Sequence, residues 1–235
     1  MSKTFDITIN NQDVSVRTQD NVVELFVSDD RLIAIVYDND PPNPRVEYDN
    51  IGTMVCWHRR YRLGDEQPSC TPEEYLESLL DDEIQALERN FVILPLYLYD
   101  HGGLTISTGP FSCPWDSGQV GFIYCSMERA RSEWGSLHDP EELSLQAEQY
   151  LKGEVEIYAK YLSGDVYGVL VADFDFDEAE VDFDEVEVDF DDLEIADSCW
   201  GFYGLGSAIE GGKEMASALP SVKAVIPAQL ELDFS

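Results

Sequence analysis

Three consecutive heptads, FDFDEAE from Phe174, VDFDEVE from Val181 and VDFDDLE from Val188, restrict what the last third of this chain can become. Each carries Asp at its second and fourth places and Glu at its last, with apolar side chains at the first, third and sixth. The wider segment from Asp173 to Asp197 holds 14 carboxylates in 25 residues and no Lys, Arg or His. Acids alone stay solvated and disordered. Acids interleaved with Phe, Val, Leu and Ile have a face to bury. A helix does not collect that face, because at about 100° per residue the first position points away from the third and sixth. On a strand the first and third positions share a side. The Asp-Glu or Asp-Asp pair then inserts one residue and shifts the phase. The repeat therefore predicts short alternating strands with a bulge or turn in each heptad. An amphipathic disordered segment is the competing pattern.

Acidity extends beyond the repeat. The 235 residues carry a formal net charge of −34, of which the segment supplies −14 and the other 210 residues −20. Such a surface repels DNA, RNA and anionic membranes, and it attracts basic proteins and cations. With only five Lys, the distributed part also fits selection by a high-salt cytoplasm. That explanation accounts for the spread of charge better than for a tandem repeat. The start, MSKTFDITINNQDVSV, lacks the pattern of a signal peptide, and no run of about 18 apolar residues is present, so the expected location is cytoplasmic without a membrane span. Five cysteines at 56, 70, 113, 125 and 199 form no CxxC pair, which points to reduced thiols. Cys56 and Cys125 sit in apolar runs and read as core thiols.

Along the chain, TFDITI and DVSVR flank a polar turn at Asn10-Asn11-Gln12 and predict a hairpin. RLIAIVY (31–37), GTMVCWH (52–58), FVILPLYLY (91–99) and QVGFIYCS (119–126) read as strands, with an irregularity at Pro95. Thr71-Pro72-Glu73-Glu74 opens a helix with a capping box, whose stripe would be Tyr75, Leu76, Leu79, Leu80, Ile84 and Leu87. Asp139-Pro140-Glu141-Glu142 opens a second, longer helix. Leu143, Ala147, Tyr150, Leu151, Val155, Tyr158 and Leu162 face inward there, and Gly164-Asp165 ends it. VYGVLVA (166–172) and LEIADSCWGFYG (193–204) pair as a hairpin whose turn carries the acidic repeat, and a short helix follows near 207–218. The expected class is α+β: an antiparallel or mixed sheet, two main helices packed on it, and an acidic strand-like insertion in a C-terminal hairpin. DNDPPNPR (38–45) suggests a boundary, giving an N-terminal β subdomain or extension at 1–45, a core at 46–219 that includes 173–197, and a tail at 220–235.

Four stretches also resemble a known group: NIGTMVCWHRRYRLGD (50–65), LPLYLYDHGGLTISTGPFSCPWDSGQVGFIY (94–124), GDVYG (164–168) and DSCWGFYG (197–204). They look like a family of uncharacterised proteins of phages and other mobile elements. The resemblance spans about residues 50–204 and implies no activity, cofactor or catalytic residue. Members carry a short final hairpin, so the acidic repeat is an elaboration on the family pattern. What the resemblance implies is a mobile-element origin.

Several residue sets carry possible chemistry. Cys113, Asp116, His58 and His101 are the types of a cysteine nucleophile with its base and orienting acid. The bland reading makes PFSCPWDSGQ a tight turn with Trp115 packed and Asp116 or Ser117 bonding local amides. Cys56 and His58 share a strand face, and with Cys113 or His101 they would make a zinc set without the usual paired spacing. Asp173-x-Asp175-x-Asp177 imitates the start of a calcium loop, but Glu178 stands where Gly is needed and Asp184 where a bidentate Glu closes the shell. No cofactor or metal is therefore expected.

The leading expectation is an acidic binding protein of a phage or mobile element. Its partner would be a basic nucleic-acid-binding host protein, such as a CRISPR or restriction effector, whose groove it fills by mimicking nucleic-acid charge. Duplex DNA presents one charge per ~1.7 Å of axis. Alternate residues of a strand present one carboxylate per ~6.6–6.8 Å, and adjacent strands narrow the gap. The binding residues would be Asp173, Asp175, Asp177, Asp182, Asp184, Glu185, Glu187, Asp189, Asp191 and Asp192, with Phe176, Phe183 and Phe190 as anchors. The alternatives are a small enzyme using Cys113 with His58 or His101, and a cation-binding structural protein.

Overall fold

The apolar runs and turn signals produce eleven strands and five α-helices among residues 2–9, 12–79, 91–135, 139–174 and 187–220, which the computed structural model describes. In chain order they are β1 (Ser2–Ile9), β2 (Gln12–Gln19), β3 (Val22–Ser28), β4 (Arg31–Tyr37), α1 (Pro44–Glu47), β5 (Thr53–Cys56) and α2 (Pro72–Ser78). There follow β6 (Phe91–Asp100), β7 (Leu104–Ser107), β8 (Ser117–Ser126), α3 (Met127–Trp134) and α4 (Pro140–Ser163). The chain closes with β9 (Val166–Asp173), β10 (Glu187–Asp189), β11 (Ile195–Tyr203) and α5 (Leu205–Ala218). The class is α+β, as expected. The strands, however, form three sheets rather than one, in the orders β1-β2-β10, β11-β9-β4-β3 and β5-β8-β6-β7.

Contacts divide the chain into two units, residues 1–41 with 165–235, and residues 42–164. This differs from the division at 45 and 219. The N-terminal strands do not stand apart, because β4 pairs antiparallel with β9 and places residues 31–37 beside 167–173. The acidic hairpin belongs with them.

In the first unit, β4 is buried along nearly its whole length. Leu32, Ala34 and Val36 pack toward β1 and β2 with Val14, Val16 and Phe190, while Ile33 and Ile35 join Val169, Val171, Ala208 and Ala216 of α5 in a second cluster. Two-sided burial explains why RLIAIVY lacks polar alternation. Burying Leu32, Ile33 and Ile35 stabilises the unit by about 1.5–3 kcal/mol each. β3 and β4 turn through Asp29 and Asp30, both at positive φ (50° and 60°), the backbone of a tight two-residue hairpin. The 166–173/195–203 hairpin is present, antiparallel, with two register shifts.

In the second unit, α4 covers one face of β5-β8-β6-β7. Leu143, Ala147, Leu151, Val155 and Tyr158 meet Met54, Cys56, Leu96, Ile123 and Cys125. Asp139 caps α4 by accepting from the Glu141 amide, and Gly164 ends it in the left-handed conformation at φ 73°. Tyr150 departs from the expected inward stripe. It is 52% exposed and leans on Trp134 of α3 at 4.8 Å between ring centroids. β8 approaches β5 so closely at Gly121 that a Cβ there would lie 1.9 Å from the Val55 carbonyl oxygen, so this position requires glycine. Pro95 sits inside β6, with the register shift just beyond it at Leu96/Tyr97.

The expected first helix begins as foreseen, with the reciprocal Thr71–Glu74 capping box. Its seven residues bury none of their own side chains. Tyr75 instead meets Trp57 and Phe122 on the sheet face opposite α4. Leu80, Ile84 and Leu87 lie outside the described residues. No described helix is long and apolar enough to cross a membrane.

Candidate functional site

The third heptad shows how the repeat pattern becomes structure. Glu187–Asp189 adds to the edge of the N-terminal hairpin as a parallel strand, in register with Ser15–Arg17 of β2. Phe190–Asp192 then forms a 3-10 turn, capped by Asp189, whose carboxylate accepts from the Asp191 amide at 3.2 Å. The first, third and sixth positions, Val188, Phe190 and Leu193, all reach the same apolar cluster. The carboxylates stay outside: Asp189 is partly exposed, and Asp191, Asp192 and Glu194 are exposed. The turn falls on the extra acidic residue and returns the sixth position to the core. This is the strand-plus-turn module that the spacing predicts.

The fate of the individual residues is mixed. Phe190 is 3% exposed and is not available to a partner. This corrects the anchoring role, because burial in the strand face consumes the ring. Asp173 pairs with Arg31 at 2.9 Å, and Arg31 is itself buried, donating to the carbonyls of Ala216 and Pro220. Asp189 accepts from Arg17 at 3.1 Å and Asp191 from Gln19 at 3.0 Å. Asp192 stands exposed. Glu187 is placed as a strand residue opposite Ser15, which donates to Asp6 at 2.7 Å. Asp175, Phe176, Asp177, Asp182, Phe183, Asp184 and Glu185 lie outside the described residues. Beside this acidic face a groove of about 270 Å³ runs past Val22, Leu170, Phe190, Asp191, Leu193 and Ile195.

The second candidate is a cleft in the other unit, where β6 ends beside the start of β8. The Asp100 amide donates to the Asp116 carbonyl at 2.9 Å, which sets the two residues side by side, and both line the cleft. Asp116 Oδ2 lies 3.1 Å from His101 Nδ1 and accepts a hydrogen bond from Cys113 Sγ at 3.5 Å. Asp100 Oδ2 takes one from Arg60 and one from the Tyr61 hydroxyl at 3.2 Å. His58 stacks on Tyr61 at 4.9 Å, and its Nδ1 accepts the amides of Arg60 and Tyr61. Leu98, Trp115, Ser117, Gly118 and Val120 complete a cleft of about 350 Å³.

Cys113, His101 and Asp116 therefore do come together, but in the wrong order for a relay. A nucleophilic triad needs the imidazole between sulfur and carboxylate. Here the carboxylate stands between them. Trp115, expected to pack in the turn, is 92% exposed, while Ser117 does brace the turn by donating to the Cys113 carbonyl at 2.5 Å. Cys56 is fully buried, and burial pushes its thiol up to about 12, so it is inert at neutral pH. Among the described residues no three His, Cys, Asp or Glu side chains are placed so that they could hold a metal ion together.

One constellation was not read from sequence. Arg45, with a side chain 2% exposed, donates to Asp65 at 2.5 Å, to Glu154 at 2.7 Å and to the Gly52 carbonyl at 2.7 Å. Glu154 also accepts the amides of Ile51 and Gly52, and Asp65 accepts that of Met54. Every member is satisfied, which suits a clamp that ties the 43–65 segment to α4 better than a reactive site. The isolated Arg in DNDPPNPR was the one available signal.

The chain matches no family model, no curated protein and no solved structure.

Proposed function

We propose that this chain is an acidic binding protein of a phage or mobile element that occupies the nucleic-acid groove of a basic host protein, in the host cytoplasm, by presenting carboxylates in place of phosphates. The observation that carries this reading is the third heptad. Phe190 is sunk in one core and Val188 and Leu193 pack against it, while Asp189, Asp191, Asp192 and Glu194 face outward. A heptad anchored this way holds its charges on a fixed surface, and fixed charge steers and orients a partner better than a solvated tail does. Arg17 and Gln19 brace two of the carboxylates without removing the excess. With Phe190 internal, the anchor is the adjacent groove, whose apolar floor and Asp191 rim suit the stem and head of a Lys or Arg from the partner. The mobile-element origin rests on the motif resemblance, and with that origin the basic nucleic-acid-binding host proteins to consider are CRISPR and restriction effectors.

The test is competition with a labelled DNA duplex for a panel of restriction and CRISPR effectors. The chain is expected to displace duplex from at least one of them, less well as salt rises, and to bind no DNA itself. Replacing Asp182, Asp184, Glu185, Glu187, Asp189, Asp191 and Asp192 by Asn or Gln is expected to weaken displacement at least tenfold in a folded protein. Cys113→Ser is expected to change nothing. Tight binding of the chain to duplex, or loss of activity with Cys113→Ser alone, would sink the reading.

A further inference from the structure

We infer that the cleft between Asp100 and Asp116, built wholly from residues of the second unit, is a binding site for a neutral saccharide. Two facts set it apart from ordinary surface. Trp115 offers nearly all of its indole to solvent, 92% exposed, at the rim of a cleft of about 350 Å³. Tryptophan is highly buried on average, and its amphipathic ring is a frequent contact at binding surfaces. Each of the two carboxylates, moreover, is held through one oxygen only. Asp100 spends Oδ2 on Arg60 and Tyr61, and Asp116 spends Oδ2 on His101 and Cys113. Oδ1 of each has no bond to another described group. The two acids are thus fixed in direction, each with one oxygen open to solvent, Asp100 at the end of β6 and Asp116 in the bend just before β8.

The donors are fixed as well. His58 has Nδ1 occupied by two backbone amides, so its proton sits on Nε2. Arg60 gives N–H to Asp100 and keeps others free on a side chain 69% exposed. The cleft therefore presents acceptors and donors side by side around an aromatic plate.

Charge decides the ligand class. A cation that reached the carboxylates would also meet Arg60. An anion would meet both carboxylates in a chain of net charge −34. An apolar ligand would strip water from several polar groups and return no hydrogen bonds. A sugar ring satisfies all of them: its hydroxyls donate to the two Oδ1 atoms and accept from Arg60 and His58, and its C–H face lies on Trp115. The cleft volume falls in the range of about 300–1,000 Å³ typical of small-ligand sites, and its open side accepts one or two rings of a longer glycan.

The test uses the full chain with its tryptophans labelled with nitrogen-15 and follows the indole N–H signals by NMR. The probes are chitotriose, maltotriose, cellotriose and mannotriose, with agmatine and inorganic phosphate as the cationic and anionic probes. At least one trisaccharide is expected to shift the Trp115 indole saturably and to leave Trp57, Trp134 and Trp200 in place. Raising salt is expected to leave that affinity unchanged, because the ligand is uncharged, whereas salt weakens any association through the acidic face. Trp115→Ala is expected to abolish binding, and since this side chain packs on little, the other three indoles will report an intact fold. Asp116→Asn is expected to weaken binding about tenfold. The inference is overturned if no trisaccharide saturates, if agmatine or phosphate saturates in their place, or if Trp115→Ala binds as the parent does.

Discussion

Arg17 and Arg45 both join distant stretches of chain through carboxylates, in opposite surroundings. Arg17 lies on the acidic sheet face with its side chain 47% exposed and reaches Asp189. Arg45 is 2% exposed and holds Asp65 and Glu154 at once. The first pair sits in water among many other carboxylates and neutralises little of the field. The second is shielded, and each of its charges is taken up by a partner. The contrast separates two settings of acidity in one chain: around Arg45 it is paired to a buried guanidinium, and on the β1-β2-β10 sheet it stays at the surface.

The largest effect should come from breaking the buried pair. Arg45→Met leaves two part-buried carboxylates facing each other and is expected to cost about 3–5 kcal/mol, read as a fall in the urea midpoint. A loss below about 1 kcal/mol would mean that backbone amides alone hold Asp65 and Glu154. Next in size is Phe190→Ala, which empties the inward side of the third heptad and is expected to cost about 3 kcal/mol. Amide exchange at Glu187–Asp189 should quicken with it. If exchange there is unchanged, the ring does not pin the acidic strand. The smallest effect belongs to Arg17→Gln, at about 0–1 kcal/mol for an exposed pair. That difference should vanish in high salt, where the Arg45 effect persists.

Much of this arrangement was readable from residue order alone, where the physics is local. The phase of the heptad placed Val188 and Phe190 on one side, and the structure adds Leu193. Thr71, Asp139 and Gly164 mark helix ends through chemistry confined to one turn. Where partners lie far apart, the sequence is silent. β10 pairs with β2 across about 170 residues, and nothing in VDFDDLE names Ser15–Arg17. β3 escaped notice because Asp29-Asp30 is not the usual Asn-Gly signal, although both residues tolerate positive φ. Arg45, Asp65 and Glu154 come from three separate stretches. The cleft was half legible: Cys113, Asp116 and His101 were grouped by type, but their order in space, with the acid in the middle, is a property of the folded strands.

The discontinuous first unit has a consequence for synthesis. A ribosome completes β1–β4 and must then make all of residues 42–164 before β9 and α5 exist to cover β4. At about 5–20 residues per second that wait is roughly 6–25 s. Throughout it RLIAIVY, apolar and β-branched, has one bare edge and one bare face, which is the profile of a segment that recruits other nascent chains. Asp29, Asp30, Asp38 and Asp40 bracket that run on both sides. They act as gatekeepers, keeping copies apart by repulsion until the second half of the unit arrives.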